Sequence, residues 1–447
     1  MNLFGTDGIR GVANSDLTCK IAFELGRAAG SCLSPGEKIA VGKDTRISGD
    51  MLEASLVAGI TSTGRDVVHL GIVTTPGLSF VVSHFNLGGG VMISASHNSF
   101  EYNGLKVFGP DGKKIPDQLE LQFSEMILGQ TAGGVSPTAN GIGRAIDGSR
   151  LVSHYVEFLS GLPKADLSRL RILVDTANGS ASCLAPRVWK AVCPAVDFLN
   201  SSPDGLNINA GCGSTHPSHL AREVARGKYD AGFAYDGDGD RCIAVDEHGN
   251  VLTGDHIMAI MALDMVKKGR LSKNTVVGTV MANFGLERCL SSHGITLLRT
   301  PVGDRFVLEE MDRDGYSLGG EQSGHIIFSD ILKGGDGMLT SLLLAEVLAM
   351  SDSRLSTLAS VVEEIPQVLV NVRVPAPRQV VKLPRVQEAI EKAAETLSGV
   401  GRVLVRPSGT EPVVRIMVES EDGSLVKDCI DYLEAVIKRE STGSLQP

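Results

Sequence analysis

Apolar positions recur along this chain in two spacings, and their alternation predicts most of its elements. Three β-rich runs, KIAVGKDTR (38–46), RILVDTANG (171–179) and NTVVGTVMANFG (274–285), each open a longer stretch of alternating strand and helix signals. Each is followed by a segment with helical spacing, such as MLEASLVAGITSTG after the first, and then by a second apolar run: DVVHLGI, AVDFL or ITLLR. Three β-α-β openings predict three related mixed α/β units. After a second helical segment, each unit reaches a third strand ending in a polar, glycine-rich loop: GGGVMISASHN (88–98), YDAGFAYDGDGDR (229–241) and YSLGGEQSGH (316–325). Loops beyond the carboxyl ends of strands are where open α/β sheets bind ligands, so three loops at equivalent places point to one shared site.

From about Pro366 the pattern changes to QVLVNVRV, a helical PRVQEAIEKAAETLSG, the paired runs GRVLVRPSG and EPVVRIMVES, and an amphipathic segment ending near Arg439. This predicts a smaller α+β domain at the C-terminus. The expected divisions are 1–150, 151–252 and 253–364 for the α/β domains, and 365–447 for the last.

Composition narrows the function. A chain of 447 residues is too long for one hydrophobic core, and 52 glycines, against a usual share of about 7%, imply many tight loops. A formal net charge of −10 argues against a broad basic face for nucleic acid. The start, MNLFGTDGIRG, has no basic-then-apolar run, and no stretch offers about 18 uninterrupted apolar residues, so the chain reads as cytoplasmic with no membrane partner. The eight cysteines are dispersed without a C-x-x-C pair, which predicts neither a zinc cluster nor a disulfide framework.

The sharpest chemical signal is D-G-D-G-D, which sets Asp236, Asp238 and Asp240 at alternate positions of a glycine-permitted turn. Three hard oxygen donors with room for water or phosphate suit Mg²⁺. The spacing also fits an EF-hand calcium loop, even to Glu247 at its twelfth position, but Arg241 stands where that loop needs glycine and both flanks read as strands. An acidic turn with no ligand is disfavoured, because carboxylates packed this closely repel unless a cation compensates.

Ser96, directly after an apolar strand, should project its hydroxyl with His97 and Asn98 beside it; no G-x-S-x-G elbow marks a hydrolase. Lys106 follows on a returning strand, in reach of a transferring group. GEQSGH gathers Glu321, Ser323 and His325, groups suited to vicinal sugar hydroxyls or an amino group. In the last domain Arg406, Ser408, Gly409, Thr410 and Arg415 form a candidate phosphate cradle. Neither G-x-x-x-x-G-K-[ST] nor a strand-linked G-x-G-x-x-G is present.

Taken in order, ASHN, DGDGDR, GEQSGH and RPSGTEPVVR, with FGTDGIRG (4–11), GKDTRISG (42–49), PDGLNINAGCGSTHP (203–217) and VGDRFV (302–307), resemble the α-D-phosphohexomutase family along nearly the whole chain. The resemblance implies a heart-shaped molecule of four domains around a central cleft, with Ser96 carrying a phosphate that joins Asp236, Asp238 and Asp240 as the fourth Mg²⁺ ligand. It assigns Arg10, Lys106 and His325 to proton transfer or charge stabilisation, with Lys106 as base or its conjugate acid. Glu321 and Ser323 would hold the sugar, the 406–415 loop the non-reacting phosphate, Arg241 the transferring charge, and Lys43 and His97 would assist nearby. Gln322 and the GCGSTHP segment point within the family to a phosphorylated amino sugar: glucosamine 6-phosphate and glucosamine 1-phosphate, exchanged through glucosamine 1,6-bisphosphate. Glucose or mannose phosphates are the alternative substrates. A non-catalytic calcium or sugar-phosphate binding protein is the alternative from another class. A monomer or homodimer is expected.

Overall fold

The computed structural model describes residues 3–5, 7–34, 37–131, 136–408 and 412–443. It contains two compact units, one formed by Met1–Thr279 and Leu297–Val361, the other by Val280–Thr296 and Val362–Pro447.

Three sheets make up the larger unit. The first holds β1 (Ile9–Val12), β2 (Ile39–Lys43), β3 (Val67–Ile72), β4 (Gly89–Ile93), β5 (Tyr102–Phe108) and β6 (Ala145–Asp147), in the order β1-β5-β4-β2-β3-β6. The second holds β7 (Ile172–Asp175), β8 (Val196–Leu199), β9 (Ala231–Tyr235), β10 (Cys242–Asp246) and β11 (Val251–Leu252), ordered β11-β10-β9-β7-β8. The third holds β12 (Thr275–Thr279), β13 (Thr296–Thr300), β14 (Leu318–Gly320) and β15 (Ile326–Phe328), ordered β13-β12-β14-β15. The repeat expected from the sequence is visible in these orders. In every sheet the opening strand (β2, β7 or β12) lies between the second and third strands, and a fourth strand (β5, β10 or β15) returns antiparallel beside the third.

That shared topology places the three polar loops identically. ISASHN joins β4 to β5, DGDGD joins β9 to β10, and GEQSGH joins β14 to β15. The third strands are apolar along their whole length because both of their faces are covered: all residues of β4 and of β9 are buried. Around the first sheet, Leu17, Leu25, Ile39, Leu52, Val91 and Ile93 belong to one core cluster. In the second, Trp189 stacks on Phe233 with ring centroids 5.6 Å apart, and its Nε1 donates to the Tyr235 hydroxyl at 2.9 Å, so a buried indole is fully satisfied.

The smaller unit contains an antiparallel sheet of β16 (Gln367–Arg373), β17 (Gly401–Pro407) and β18 (Val413–Ser420), ordered β16-β18-β17. The helices Pro384–Thr396 and Gly423–Gly443 supply Val386, Ala389, Ala393, Ile430 and Leu433 to a core shared with Val372, Val414, Ile416 and Val418. All eight cysteines are free thiols, and no helix among the described residues is long and apolar enough to cross a membrane.

Candidate active site

Ser96 lies just past the end of β4 with φ of +52°, a left-handed backbone that turns its side chain away from the strand direction. Its Oγ donates to Asp236 Oδ2 at 2.6 Å and lies 3.1 Å from His97 Nδ1. The first and second polar loops therefore meet at one atom pair.

Asp236, Asp238 and Asp240 are all buried, and each presents a carboxylate oxygen within 4.8 Å of the others. Like charges about 4 Å apart repel by about 4 kcal/mol even at an effective dielectric of 20, so this cluster needs compensation. Lys106 supplies part of it: fully buried, its Nζ lies 2.8 Å from Asp238, 3.3 Å from Asp7 and 3.8 Å from Asp240. Burial alone would discharge this amine, but the three carboxylates outweigh it and hold the pKa above the ordinary lysine range. Burial likewise opposes ionisation of Asp240, yet the Lys106 ammonium and, after it, Arg241 hold its carboxyl far below the usual value. Asp236 has less help: burial, then Asp240 and Asp238, push it well above the normal carboxylate range. Asp238 Oδ2 accepts from Lys106 and from Thr75 Oγ1. Asp238 Oδ1 and Asp240 Oδ1, both buried, have no hydrogen-bond partner among the described residues.

These features are those of a cation site. Two orphaned carboxylate oxygens and a third carboxyl destabilised by its neighbours fit a divalent metal, and an all-oxygen donor set suits a hard ion. The EF-hand alternative lacks its frame, since strands β9 and β10 flank the loop where that motif requires helices.

The surrounding charges form a continuous network. Arg10 pairs with Asp7; Lys114 bridges Asp7 at 2.7 Å and Asp304 at 2.8 Å; Asp304 lies 3.8 Å from His325 Nε2. His325 is subject to two opposing influences. Burial disfavours its charged form, but Asp240, Asp304 and Glu321 raise its pKa to about 9. Yet the Gly335 N–H points at Nε2 from 3.1 Å, which requires a lone pair there and thus a neutral ring protonated on Nδ1, the nitrogen facing Asp240 at 3.7 Å. The hydrogen-bond geometry at Nε2 decides for the neutral ring. His97 is neutral on simpler grounds: burial, Arg241 and Arg10 lower its pKa to about 4.

Arg241 is held charged by Asp236, Asp240 and Glu321 against the effect of its burial, and its backbone N–H donates to Asp236 Oδ1 at 3.2 Å. Glu321 accepts from the Gly303 N–H at 3.1 Å, while Ser323 is exposed at the tip of the third loop. In the smaller unit Arg406 and Arg415 sit directly opposite each other on β17 and β18, and the Ser408 N–H closes the turn onto Val413 O at 2.9 Å. Burial and Arg415 lower the pKa of Arg406. Gly409 and Thr410 lie outside the described residues.

The structure thus brings together Ser96, His97, Lys106, the three aspartates, Arg241 and His325, with Arg10 linked through Asp7. Lys43 is directed elsewhere: its Nζ pairs with Asp50 and Glu53 of the helix Gly49–Thr61, away from the serine loop, because a half-buried amine takes the nearest carboxylates. The sequence reading missed Asp7, Thr75, Lys114 and Asp304. Asp7 and Asp304 stand inside the FGTDGIRG and VGDRFV motifs, which was the available signal.

Four family models match in order: "Phosphoglucomutase/phosphomannomutase, alpha/beta/alpha domain I" at residues 1–132, domain II at 153–249, domain III at 253–365 and the C-terminal domain at 369–436. A phosphoglucosamine mutase of Caldanaerobacter subterraneus subsp. tengcongensis is 49% identical over 98% of this chain and 99% of its own length. One from Clostridioides difficile is 45% identical over 98% of this chain and 99% of its own. Among solved structures, a phosphoglucomutase/phosphomannomutase family protein from Burkholderia thailandensis matches with a TM-score of 0.83 and 26% identity, covering 99% of this chain and 98% of that one. A putative phosphomannomutase from Thermus thermophilus matches with a TM-score of 0.76 and 25% identity, over 97% and 98%.

Proposed function

Because the chain belongs to the phosphoglucomutase/phosphomannomutase family, an α-D-phosphohexomutase family, we propose that it is a phosphoglucosamine mutase that interconverts glucosamine 6-phosphate and glucosamine 1-phosphate in the cytoplasm. The observation that carries the chemistry is the 2.6 Å contact between Ser96 Oγ and Asp236 Oδ2 within a buried triad of carboxylates. The relatives of that name, matched over nearly their full length, carry the amino-sugar assignment.

Ser96 bears the phosphoryl group in the resting enzyme. The free sugar hydroxyl attacks phosphorus, the bond to Ser96 Oγ breaks, the serine oxygen takes up a proton and the hydroxyl gives one up, leaving glucosamine 1,6-bisphosphate. The bisphosphate turns end for end, and the other phosphoryl group returns to Ser96. Mg²⁺ held by Asp236, Asp238 and Asp240 supplies neutralisation of phosphate charge. Lys106, kept protonated by Asp238 and Asp7, enters as a cation and proton donor rather than as a base. Arg10, tethered through Asp7, and Arg241 add positive charge where the transferring oxygens gather. His97 meets Ser96 Oγ as a neutral ring, and His325 spans the acidic network. Glu321 and Ser323 read the sugar, and Arg406, Ser408, Gly409, Thr410 and Arg415 hold the distal phosphate. These roles divide among segments 1–150, 151–252, 253–364 and 365–447.

The test is a comparison of kcat/KM for glucosamine, glucose and mannose phosphates on phosphorylated enzyme. A clear preference for the amino sugar is expected; a preference for glucose or mannose phosphate would overturn the assignment while leaving the mutase chemistry intact.

A further inference from the structure

A non-glycine residue persists at φ of +52° only where its surroundings over-determine it, and Ser96 is held at both its N–H and its carbonyl. The Ser96 N–H donates to Ser94 Oγ at 2.9 Å, and Ser94 Oγ donates in turn to Asp44 Oδ2 at 2.6 Å. Asp44 is locked to Arg46, whose Nε donates to Asp44 Oδ2 at 2.8 Å and whose backbone N–H donates to Oδ1 at 3.0 Å. Both side chains are fully buried.

The rest of the Arg46 fork turns to the serine loop. Nη2 donates to Ser96 O and to Asn98 O, each at 2.8 Å, while Nη1 donates to Ser99 O and, at 3.0 Å, to Tyr102 O. All five guanidinium N–H groups are used, which an ammonium with three donors at one point could not reproduce. A second donor reaches the same two carbonyls from a distant part of the chain. Asn209, buried and set in the loop that joins β8 to the helix Ser218–Gly227, gives its Nδ2 to Ser96 O at 2.9 Å and to Asn98 O at 3.0 Å. Its own backbone is pinned by an N–H to Ala177 O bond of 2.9 Å. The aspartate loop packs onto this clamp: a Cβ at Gly237 would fall 2.5 Å from Ser96 O and 2.8 Å from Asn209 Nδ2.

We propose that Arg46 and Asn209 are positioning residues for phosphoryl transfer: together they hold the carbonyls of Ser96 and Asn98 and so fix the turn that aims Ser96 Oγ at Asp236. The inference rests on the reading of Ser96 as the phosphoryl carrier. Asn209 acts through the backbone and donates to no reacting atom. Its loss should change how Ser96 is presented and leave sugar binding alone.

Asn209→Gly deletes the amide at a backbone angle, φ of +57°, that glycine accepts without strain. Asn209→Asp keeps the side-chain shape and sets an oxygen against two carbonyls, and Arg46→Lys removes the fork. The variants are compared with the full-length wild type for kcat, KM, thermal melting and the rate at which Ser96 acquires phosphate from glucose 1,6-bisphosphate, read by peptide mass. In Asn209→Gly, kcat and the phosphorylation rate should fall on the order of 10²-fold with KM within about twofold and a cooperative melt retained. Asn209→Asp and Arg46→Lys should show the same split between kcat and KM. Wild-type rates in Asn209→Gly, a loss confined to KM, or losses in all three variants that only track the unfolded fraction would overturn the inference. The phosphorylation rate reads Ser96 whichever hexose is preferred. A wild type that takes phosphate at Ser96 no faster than Asn209→Gly overturns this inference alone, whereas one that never takes it overturns the functional reading as well.

Discussion

Ser96 Oγ and Asp236 Oδ2 stand 2.6 Å apart although 140 residues separate them along the chain. Two sheets that share a four-strand core order bring them together, each presenting the loop after the third strand of that core. A hydroxyl held against a carboxylate triad with two unsatisfied oxygens is the arrangement on which the proposed phosphoryl transfer and cation binding rest.

Ser96→Ala removes the acceptor and keeps the backbone turn. Turnover should be abolished, while Asp236 loses one hydrogen bond, a change of about 1–3 kcal/mol in stability. Steady-state assay and urea unfolding check the two halves separately; near-normal turnover would end the phosphoserine reading.

Divalent cation should stabilise the folded protein. At about 100 times its Kd, Mg²⁺ should add about 2.7 kcal/mol, seen as a rise in Tm that EDTA reverses. Asp238→Asn should abolish the rise and weaken binding in calorimetry; an equal rise in that variant would place the ion elsewhere.

Asp336 gives a pH signature. It caps the helix Gly337–Met350 by accepting from the Leu339 N–H at 3.0 Å, and accepts from the Tyr155 hydroxyl at 2.7 Å. Burial lifts its pKa from 3.8 to about 6. Because the folded value is the higher one, its contribution is complete below the unfolded value and is lost as pH rises through about 6, on the order of 3 kcal/mol. Asp336→Asn retains an acceptor for the cap and has no proton to lose. Its stability, followed by urea unfolding from pH 4.5 to 7.5, should decline less than that of the wild type; parallel curves would refute this.

Arg406 and Arg415 face each other across β17 and β18 beside the loop assigned above to the distal phosphate. Arg406→Ala should raise KM for the sugar phosphate about 10- to 100-fold, the loss of a charge-assisted contact worth about 1.5–3 kcal/mol, with a smaller change in kcat. An unchanged KM would separate that strand pair from substrate binding.

Much of this was legible in the chain because the reacting groups cluster in short loops after apolar strands. DGDGD states its own donor set, and the spacing from Ser96 to Lys106 fits a returning strand. What was not legible depends on contacts between distant segments. Lys43 and Arg46 are three residues apart in one motif, and only packing sends the first to Asp50 and Glu53 and the second beneath the serine loop. Asn209 gave no chemical signal because it acts through an amide aimed at two backbone carbonyls. Asp7 stands inside a recognisable motif, but its part in the site follows only from the convergence of Lys106, Lys114 and Arg10 on it.

The most direct test is fragment mass analysis of the wild-type protein after incubation with glucose 1,6-bisphosphate and Mg²⁺. One phosphate on Ser96, absent from Ser96→Ala treated in the same way, is the predicted result. An unmodified Ser96, or a phosphate on any other residue, would contradict it.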